Sequence, residues 1–254
     1  MKRIILNIAG IRIGFEFEDK DDKFFYFFNE RYFPFYDKIK PKQLIKVRFD
    51  EKVFLKNEGV LVNGIENIKI RRKDFYFDGK ILNLNKNIYS FDSFLRVYLS
   101  NILNKKNGLM LHSSGVSIKN KGFIFVSKSG GGKTTIARIL SNQCDVLCDE
   151  IIPVVFENNK IYAFSSPFYG EINLVKKNIK VELAKIFLIK KSDTNLEKEL
   201  DFKEKINRII KCVMNFNKDK NIILKVFKKV IKLSKSNVYQ LNFRNDNTLL
   251  NYFY

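Results

Sequence analysis

The sequence predicts an α/β fold in which a mixed sheet with flanking helices contains a glycine-rich loop and follows a β-rich region. Three observations predict this class. A short apolar run, three consecutive glycines and a helical run follow one another at residues 122–140. Short alternating segments with Asn-Gly and Asp-Gly turns fill residues 1–89, and amphipathic helical patterns fill the C-terminal part. We therefore expect an accessory β-rich region over 1–89 and a loop-containing domain over 90–254.

The glycine-rich loop spans Ser127–Thr135. At a helix N-terminus, such a loop points successive backbone N–H groups at a phosphate, and glycines let the backbone approach without a Cβ. In this pattern Lys133 reaches the β- and γ-phosphate oxygens and the Thr134 hydroxyl binds Mg²⁺. The usual pattern has glycine in place of Ser127, which tolerates positive φ less well. A flexible glycine turn is the alternative, but the flanking strand and helix favour a phosphate site made of Ser129, Gly130, Gly131, Gly132, Lys133, Thr134 and Thr135.

The alternating pattern of residues 1–89 predicts an antiparallel sheet, with one helix or irregular segment near Phe24–Tyr36. Asn63-Gly64 and Asp78-Gly79 are hairpin signals. We assign the aromatic residues at 24–28 to the core, because they lack the spacing of an RNA-binding sheet. The predicted strands are 3–8, 11–17, 44–49, 53–55, 59–62, 68–72, 75–77 and 80–84.

Residues 90–254 predict alternating strands and helices. A helix capped by Ser90 continues to Ile102, and Asp201 with Glu204 forms a capping box that opens a later helix. Further helices are expected over 136–140 and 221–233. The predicted strands are 109–118, 123–126, 145–149, 153–156, 161–164, 185–189 and 238–243.

An acidic pair, Asp149-Glu150, follows an apolar strand 16 residues beyond Lys133. In phosphate-loop proteins an acid at this place holds Mg²⁺ directly or through water. Of two adjacent acids, one can hold the ion while the other accepts the proton of an attacking hydroxyl. An ordinary loop pair at a strand end is the alternative, and the glycine loop at this distance favours the functional interpretation.

The composition limits the class of protein. Lys and Arg number 47 against 27 Asp and Glu, a net charge of +20, but the lysines are spread along the chain without a nucleic-acid-reading motif. Nucleic acid is therefore a weak expectation, and a preference for an acidic protein, peptide or nucleotide stays open. Three cysteines form no even disulfide framework, which predicts a cytoplasmic protein. No apolar run approaches the ~20 residues of a membrane span, and a homo-oligomer is compatible with the sequence.

Several segments, taken in order, resemble the HPr kinase/phosphorylase-like family, whose nucleotide-binding core is shared with phosphoenolpyruvate carboxykinase. The resemblance covers about residues 90–243 and extends only loosely to residues 1–89. It implies a P-loop core of the HPr kinase/PEP carboxykinase type, similar to kinase-like members of bacterial biosynthetic gene clusters. The segments are Leu111–Val116, Ser129–Thr134, Cys148–Glu150, Ser166–Glu171 and Ala184–Leu188.

The resemblance implies a kinase that moves the γ-phosphoryl of ATP, with Mg²⁺, to a serine-type hydroxyl of a peptide, protein or small molecule. It implies that Asp149 is the base, that Lys133 binds phosphate, and that Thr134 and Glu150 bind the metal. His112 is either a catalytic neighbour of the phosphates or a core residue. Glu171 either lines the acceptor side or is a turn residue. The turn at 166–171 differs from the Arg-Gly segment of HPr kinases, so HPr is not the expected acceptor.

Two other functions stay open from the sequence. A nucleotide-binding module could recruit a precursor peptide or protein without transfer, although such a module has no need of a base at Asp149. A basic nucleic-acid protein with an incidental glycine loop is the third, and it would lose affinity steeply with salt.

Overall fold

The computed structural model describes residues 1–18, 21–50, 59–63, 67–170 and 172–253. Two mixed β-sheets with flanking helices make up this part of the chain, so the predicted α/β class is confirmed. No helix in the described ranges combines the length and apolar character that crossing a membrane requires.

The first sheet has seven strands in the order β1-β2-β3-β7-β6-β5-β4. Its strand pairs β2–β3 and β3–β7 are parallel, so the prediction of an antiparallel sheet was wrong for these two pairs. For β2–β3 the reason is their connection, which contains helix α1 and a 3₁₀ turn and returns the chain to the starting end of the sheet. Strands β3 and β7 are not consecutive, because β4, β5 and β6 lie between them in the chain. The predicted strand 53–55 and Gly64 of the predicted turn lie outside the described residues. The elements are β1 (Lys2–Ile8), β2 (Ile11–Phe17), α1 (Asp22–Tyr32), the 3₁₀ turn (Phe33–Phe35), β3 (Gln43–Phe49), β4 (Gly59–Asn63), β5 (Asn67–Arg71), β6 (Phe75–Phe77) and β7 (Ile81–Leu84).

Helix α2 (Ile88–Lys105) packs against both sheets. Its N-cap is Asn87, whose side chain accepts the Ser90 N–H at 2.8 Å. The predicted cap, Ser90, lies three residues further along the chain, so that prediction was wrong. The rings of Phe91 and Phe15 meet edge to face at 4.9 Å between centroids. One buried cluster includes side chains of both sheets, and the boundary expected between residues 89 and 90 falls inside this shared helix.

The second sheet has nine strands, seven of them in the order β11-β9-β10-β14-β13-β12-β8, with β16 beside β14 and β15 beside β16. The pairs β10–β14 and β14–β16 are parallel, so three strands end at the same edge. The strands are β8 (Gly108–His112), β9 (Ser114–Ile118), β10 (Lys121–Val126), β11 (Asp145–Cys148), β12 (Ile151–Glu157), β13 (Lys160–Phe164), β14 (Lys180–Lys191), β15 (Leu196–Lys198) and β16 (Val238–Phe243).

The single strand expected over 109–118 is two strands, β8 and β9, separated at Ser113. Strand β8 pairs with β12, whereas β9 pairs with β10 and β11. At the break the Ser113 N–H donates to the carbonyl of Glu150 at 2.9 Å. The apolar pattern is continuous through this segment, so it could not show that its two halves pair with different partners.

The remaining helices confirm most of the sequence prediction. Asp201 caps α4 by accepting the Glu204 N–H at 2.9 Å, the first half of the predicted capping box. Helix α6 packs against α3 and was not predicted. These helices are α3 (Lys133–Leu140), α4 (Phe202–Ile210), α5 (Lys220–Ser234) and α6 (Thr248–Phe253).

Candidate functional site

The glycine-rich loop connects the end of β10 to the first residue of α3. Gly130 and Gly132 have φ angles of +73° and +100°, a region that suits glycine. A Cβ on Gly132 would also lie 2.5 Å from Cζ of Phe243, and one on Gly131 would lie 2.5 Å from Oγ of Ser127. Backbone conformation and lack of space therefore both require glycine in this loop.

Ser127 stands where the usual pattern has glycine, and the loop accepts it without backbone strain. The described non-glycine residues with positive φ are Ala9, Lys119, Asn120, Asn158 and Asn159, and Ser127 is not one of them. Its hydroxyl donates to the carbonyl of Lys128 at 3.1 Å. The departure from the pattern is therefore compatible with the loop conformation.

Lys133, the first residue of α3, is buried beneath the loop. Its ammonium group donates to the carbonyls of Ser127 and Lys128 at 3.2 and 3.4 Å. Burial lowers the pKa of Lys133, against opposing contributions from Cys212 and Glu150. The cation thus lies on the inner side of the loop, where long bonds to neutral carbonyls leave it available to a stronger anionic acceptor.

The acid pair follows β11 and lies opposite the loop. Asp149 is buried, and its Oδ1 accepts the Gly170 N–H at 3.0 Å. Both carboxylates line the same cleft of about 410 Å³ as the loop. The predicted site residues that line this cleft are His112, Ser129, Gly130, Gly132, Lys133, Thr134, Thr135, Asp149 and Glu150. Of the others, Gly131 lies on the opposite side of the loop, and Glu171 lies outside the described residues.

His112 ends β8 and is half-buried, with its side chain on the cleft. Its backbone N–H donates to the carbonyl of Cys212 at 2.7 Å. Burial and the charge of Lys133 lower the pKa of His112, against an opposing contribution from Glu150. The lowered pKa favours the neutral imidazole, which can act as a hydrogen-bond donor or acceptor toward a ligand of the cleft.

Arg96 of α2 binds Glu150, an interaction that sequence reasoning missed. Its two terminal nitrogens lie 3.0 Å from the two carboxylate oxygens of Glu150, and its Nε donates to Asp92 at 2.8 Å. The Asp92–Arg96 spacing of four residues on a helix was a signal for the local pair. Nothing in the spacing pointed to Glu150, which is 54 residues away.

The same ionic network reaches the β-rich region. Asp92 also pairs with Arg31 of α1 at 2.9 Å and accepts the hydroxyl of Tyr32 at 2.9 Å. Arg31 lies over the ring of Tyr169 at 4.0 Å and donates to its carbonyl at 3.3 Å. The turn ending at Gly170 is therefore held by Asp149 on one side and by Arg31 on the other.

Removing Arg96 should cost substantial stability because the Glu150 carboxylate would lose both of its hydrogen bonds from Arg96, and Asp92 would keep only Arg31 and Tyr32 of its three partners. We expect Arg96→Met to lower the free energy of unfolding by about 3 kcal/mol, measured by urea unfolding. The control is Arg48→Met, which breaks the ion pair between Arg48 and Glu18. The Arg48 side chain is 49% exposed and the Glu18 side chain is 43% exposed. That change should cost less than about 1 kcal/mol. Equal losses in the two variants would contradict a structural role for the network.

The donor set of the cleft fits a magnesium nucleotide. Thr134 supplies a hydroxyl, and Asp149 and Glu150 supply carboxylates, the hard oxygen donors that Mg²⁺ prefers. The glycines leave backbone uncovered at the N-terminus of α3, where phosphate is favoured. Across the described ranges, no three His, Cys, Asp or Glu side chains form a ligand group of their own. Magnesium sites commonly take further ligands from phosphates and water.

The comparisons with known proteins leave the family open. No family model matches the chain, and no curated protein matches it. Among solved structures, the chain is similar to the HPr(Ser) kinase/phosphatase from Coxiella burnetii, with 13% sequence identity over 57% of this chain and 92% of that one. The TM-score is 0.34, too low to support an argument about fold or function. The family resemblance seen in the motifs therefore stays a prediction.

Proposed function

We propose that this protein is a Mg²⁺-dependent phosphotransferase that moves the γ-phosphoryl group of ATP to a hydroxyl. The observation that carries the proposal is one cleft lined by Lys133 and Thr134 of the glycine loop and, opposite them, by Asp149. A loop of this geometry suits phosphates, and the two adjacent carboxylates that face it can divide the roles that transfer requires, with proton acceptance by Asp149 and metal binding by Glu150.

In the proposed reaction the acceptor oxygen attacks the γ-phosphorus. A new P–O bond forms, the bond from the γ-phosphorus to the β,γ-bridging oxygen breaks, and ADP leaves with that electron pair. Asp149 accepts the proton of the attacking hydroxyl, while Lys133 offsets charge on the phosphate oxygens. His112, at the edge of the cleft, can hydrogen-bond to a phosphate or to the acceptor.

Thr134 and Glu150 are the proposed metal-binding residues. A bound Mg²⁺ would supply positive charge that neutralises the phosphate oxygens. Both oxygens of Glu150 already accept hydrogen bonds from Arg96, so this carboxylate is held in one orientation. The resemblance in the motifs favours a serine-type hydroxyl of a peptide, protein or small molecule as the acceptor.

Calorimetry with ATP and with GTP, each with and without Mg²⁺, tests the proposal. We expect heat of binding that depends on Mg²⁺. At ligand concentrations about 100-fold above Kd, binding should add about 2.7 kcal/mol of stability and raise Tm by roughly 5–10 °C. If neither nucleotide gives heat or a shift in Tm, the proposed function is wrong. Binding without transfer to any acceptor would instead favour the nucleotide-binding module.

A further inference from the structure

A second groove lies on the other side of the glycine loop. Its volume is about 980 Å³, and buried Val126 and Ile189 form part of its wall. These residues stand at the carboxyl ends of β10 and β14, and Gln240 of the parallel strand β16 lies beside them. Ligands of α/β proteins bind in crevices at the carboxyl ends of parallel strands. The position of the groove in the sheet is thus that of a ligand site.

The groove is strongly basic. Five cations from three parts of the chain line it, and its single carboxylate is Glu204. Arg208 binds Glu204 at 3.3 Å and Gln240 at 3.2 Å, which holds its guanidinium in place. Within the described ranges, no carboxylate lies within ion-pair distance of the other four cations. Those four are Lys128, Lys190, Lys191 and Lys211.

The groove is continuous with the candidate site. His112 and Ser129 line both the groove and the cleft that contains Asp149. Cys212, also in the groove, lies within electrostatic reach of Lys133 from the loop and of Arg208 from α4. A molecule bound in the groove would therefore lie next to the loop.

The charge of the groove indicates which molecule belongs there. The phosphates of a nucleotide would occupy the loop. Its base and ribose are uncharged, so five cations would add little to the binding free energy of this part of the nucleotide. They would add much more for an anion, because phosphate and carboxylate groups form charge-assisted hydrogen bonds with Lys and Arg. The volume is that of a small-molecule site.

We propose that the basic groove binds the acceptor, and that the acceptor is a small hydroxyl compound carrying a phosphate or carboxylate group. This rests on the proposed function, because it names the substrate class of the same site. The cations hold the anionic group, and the hydroxyl extends past Ser129, which lines both the groove and the cleft, toward Asp149. Acidic side chains of a peptide offer the same carboxylate chemistry, and the experiment separates the two sources.

The test compares a groove variant with a variant of equal charge. Lys190→Gln/Lys211→Gln removes two groove cations, and Lys191 is left intact because its Cε approaches Gly132 of the loop. Lys38→Gln/Lys40→Gln removes two exposed cations far from the groove in sequence, at the turn before β3. Calorimetry then measures binding of glycerol 3-phosphate, glycerol and an acidic serine peptide, with and without Mg²⁺ and the β,γ-imido analogue of ATP.

Wild type and the Lys38/Lys40 variant should bind glycerol 3-phosphate alike and more tightly than glycerol. The groove variant should bind it at least about 10-fold more weakly, since two charge-assisted contacts are lost. A different result is that the peptide binds wild type more tightly than glycerol 3-phosphate does and binds the groove variant about 10-fold more weakly. That result would show that the groove binds the carboxylates of a peptide, and it would overturn the small-molecule acceptor.

Equal binding of glycerol 3-phosphate by wild type and the groove variant, or no binding by wild type, would overturn the groove assignment. Titration with random-sequence duplex DNA is a further arm. A steep salt dependence that the groove variant loses would assign the groove to nucleic acid instead. The ATP analogue is titrated separately, so failure of the nucleotide site and failure of the groove are distinguishable.

Discussion

Lys133→Ala is expected to abolish nucleotide binding. The ammonium group of Lys133 is buried beneath the loop and bonded only weakly, at 3.2 and 3.4 Å, to two loop carbonyls. Replacing these carbonyls by phosphate oxygens creates charge-assisted hydrogen bonds, each worth about 1.5–3 kcal/mol. Loss of two such bonds corresponds to at least about 100-fold in Kd. Calorimetry with Mg²⁺ and ATP measures it directly.

Lys229→Ala is the matched control for that experiment. Lys229 is also a partly buried lysine bonded to carbonyls, at 3.1, 2.7 and 3.1 Å from those of Leu103, Asn104 and Gly108. Lys229 lies on α5. Loss of its three hydrogen bonds should lower Tm while leaving the Kd for the nucleotide unchanged. The assignment of Lys133 to phosphate binding fails if both variants bind ATP as wild type does, or if both lose binding equally.

Asp149→Asn should retain nucleotide binding and lose transfer. The amide keeps the shape of the side chain, and its oxygen can still accept the Gly170 N–H. It cannot take up a proton from the acceptor, so the transfer rate should fall by about 10²–10⁴-fold. The measurement is transfer of labelled phosphate from ATP to candidate acceptors, beside the ATP affinity of the same variant.

Asp145→Asn serves as the control for Asp149. Asp145 is the first residue of β11, the strand that Asp149 follows. Its side chain is exposed and pairs with Lys177 at 3.3 Å. This variant should transfer phosphate at the wild-type rate. If Asp149→Asn does so too, the base assignment is wrong and a different group must accept the proton.

The parts of the site that are close in the chain could be predicted from the sequence. The loop between β10 and α3 could be predicted because a strand, glycines and a helix follow one another within residues 121–140. The capping of α4 by Asp201 depends on a spacing of three residues. Where a prediction failed, a distant partner was responsible. The segment 109–118 breaks at Ser113 because β12 pairs with its first half and β10 with its second.

The ionic network and the basic groove could not be predicted either, because both are formed by residues that are far apart in the chain. Arg96 meets a carboxylate 54 residues away, and Arg31 meets the carbonyl of Tyr169 across 138 residues. Residues 1–89 were expected to be accessory, yet Arg31 of α1 helps to hold the turn that binds Asp149. The effect of the β-rich region on the candidate site therefore emerged only from packing.

The amino-acid sequence by itself determined where this protein's glycine-rich loop lies and whether most segments form a strand or a helix. Both depend on backbone preferences and side-chain spacing over a few residues, which a linear chain displays directly. The tertiary structure alone decided which strands run parallel, that Arg96 binds Glu150, and that lysines from separate segments lie beside the loop. These features arise from contacts between residues far apart in the chain, and such contacts depend on how the buried faces of the two sheets and α2 pack together.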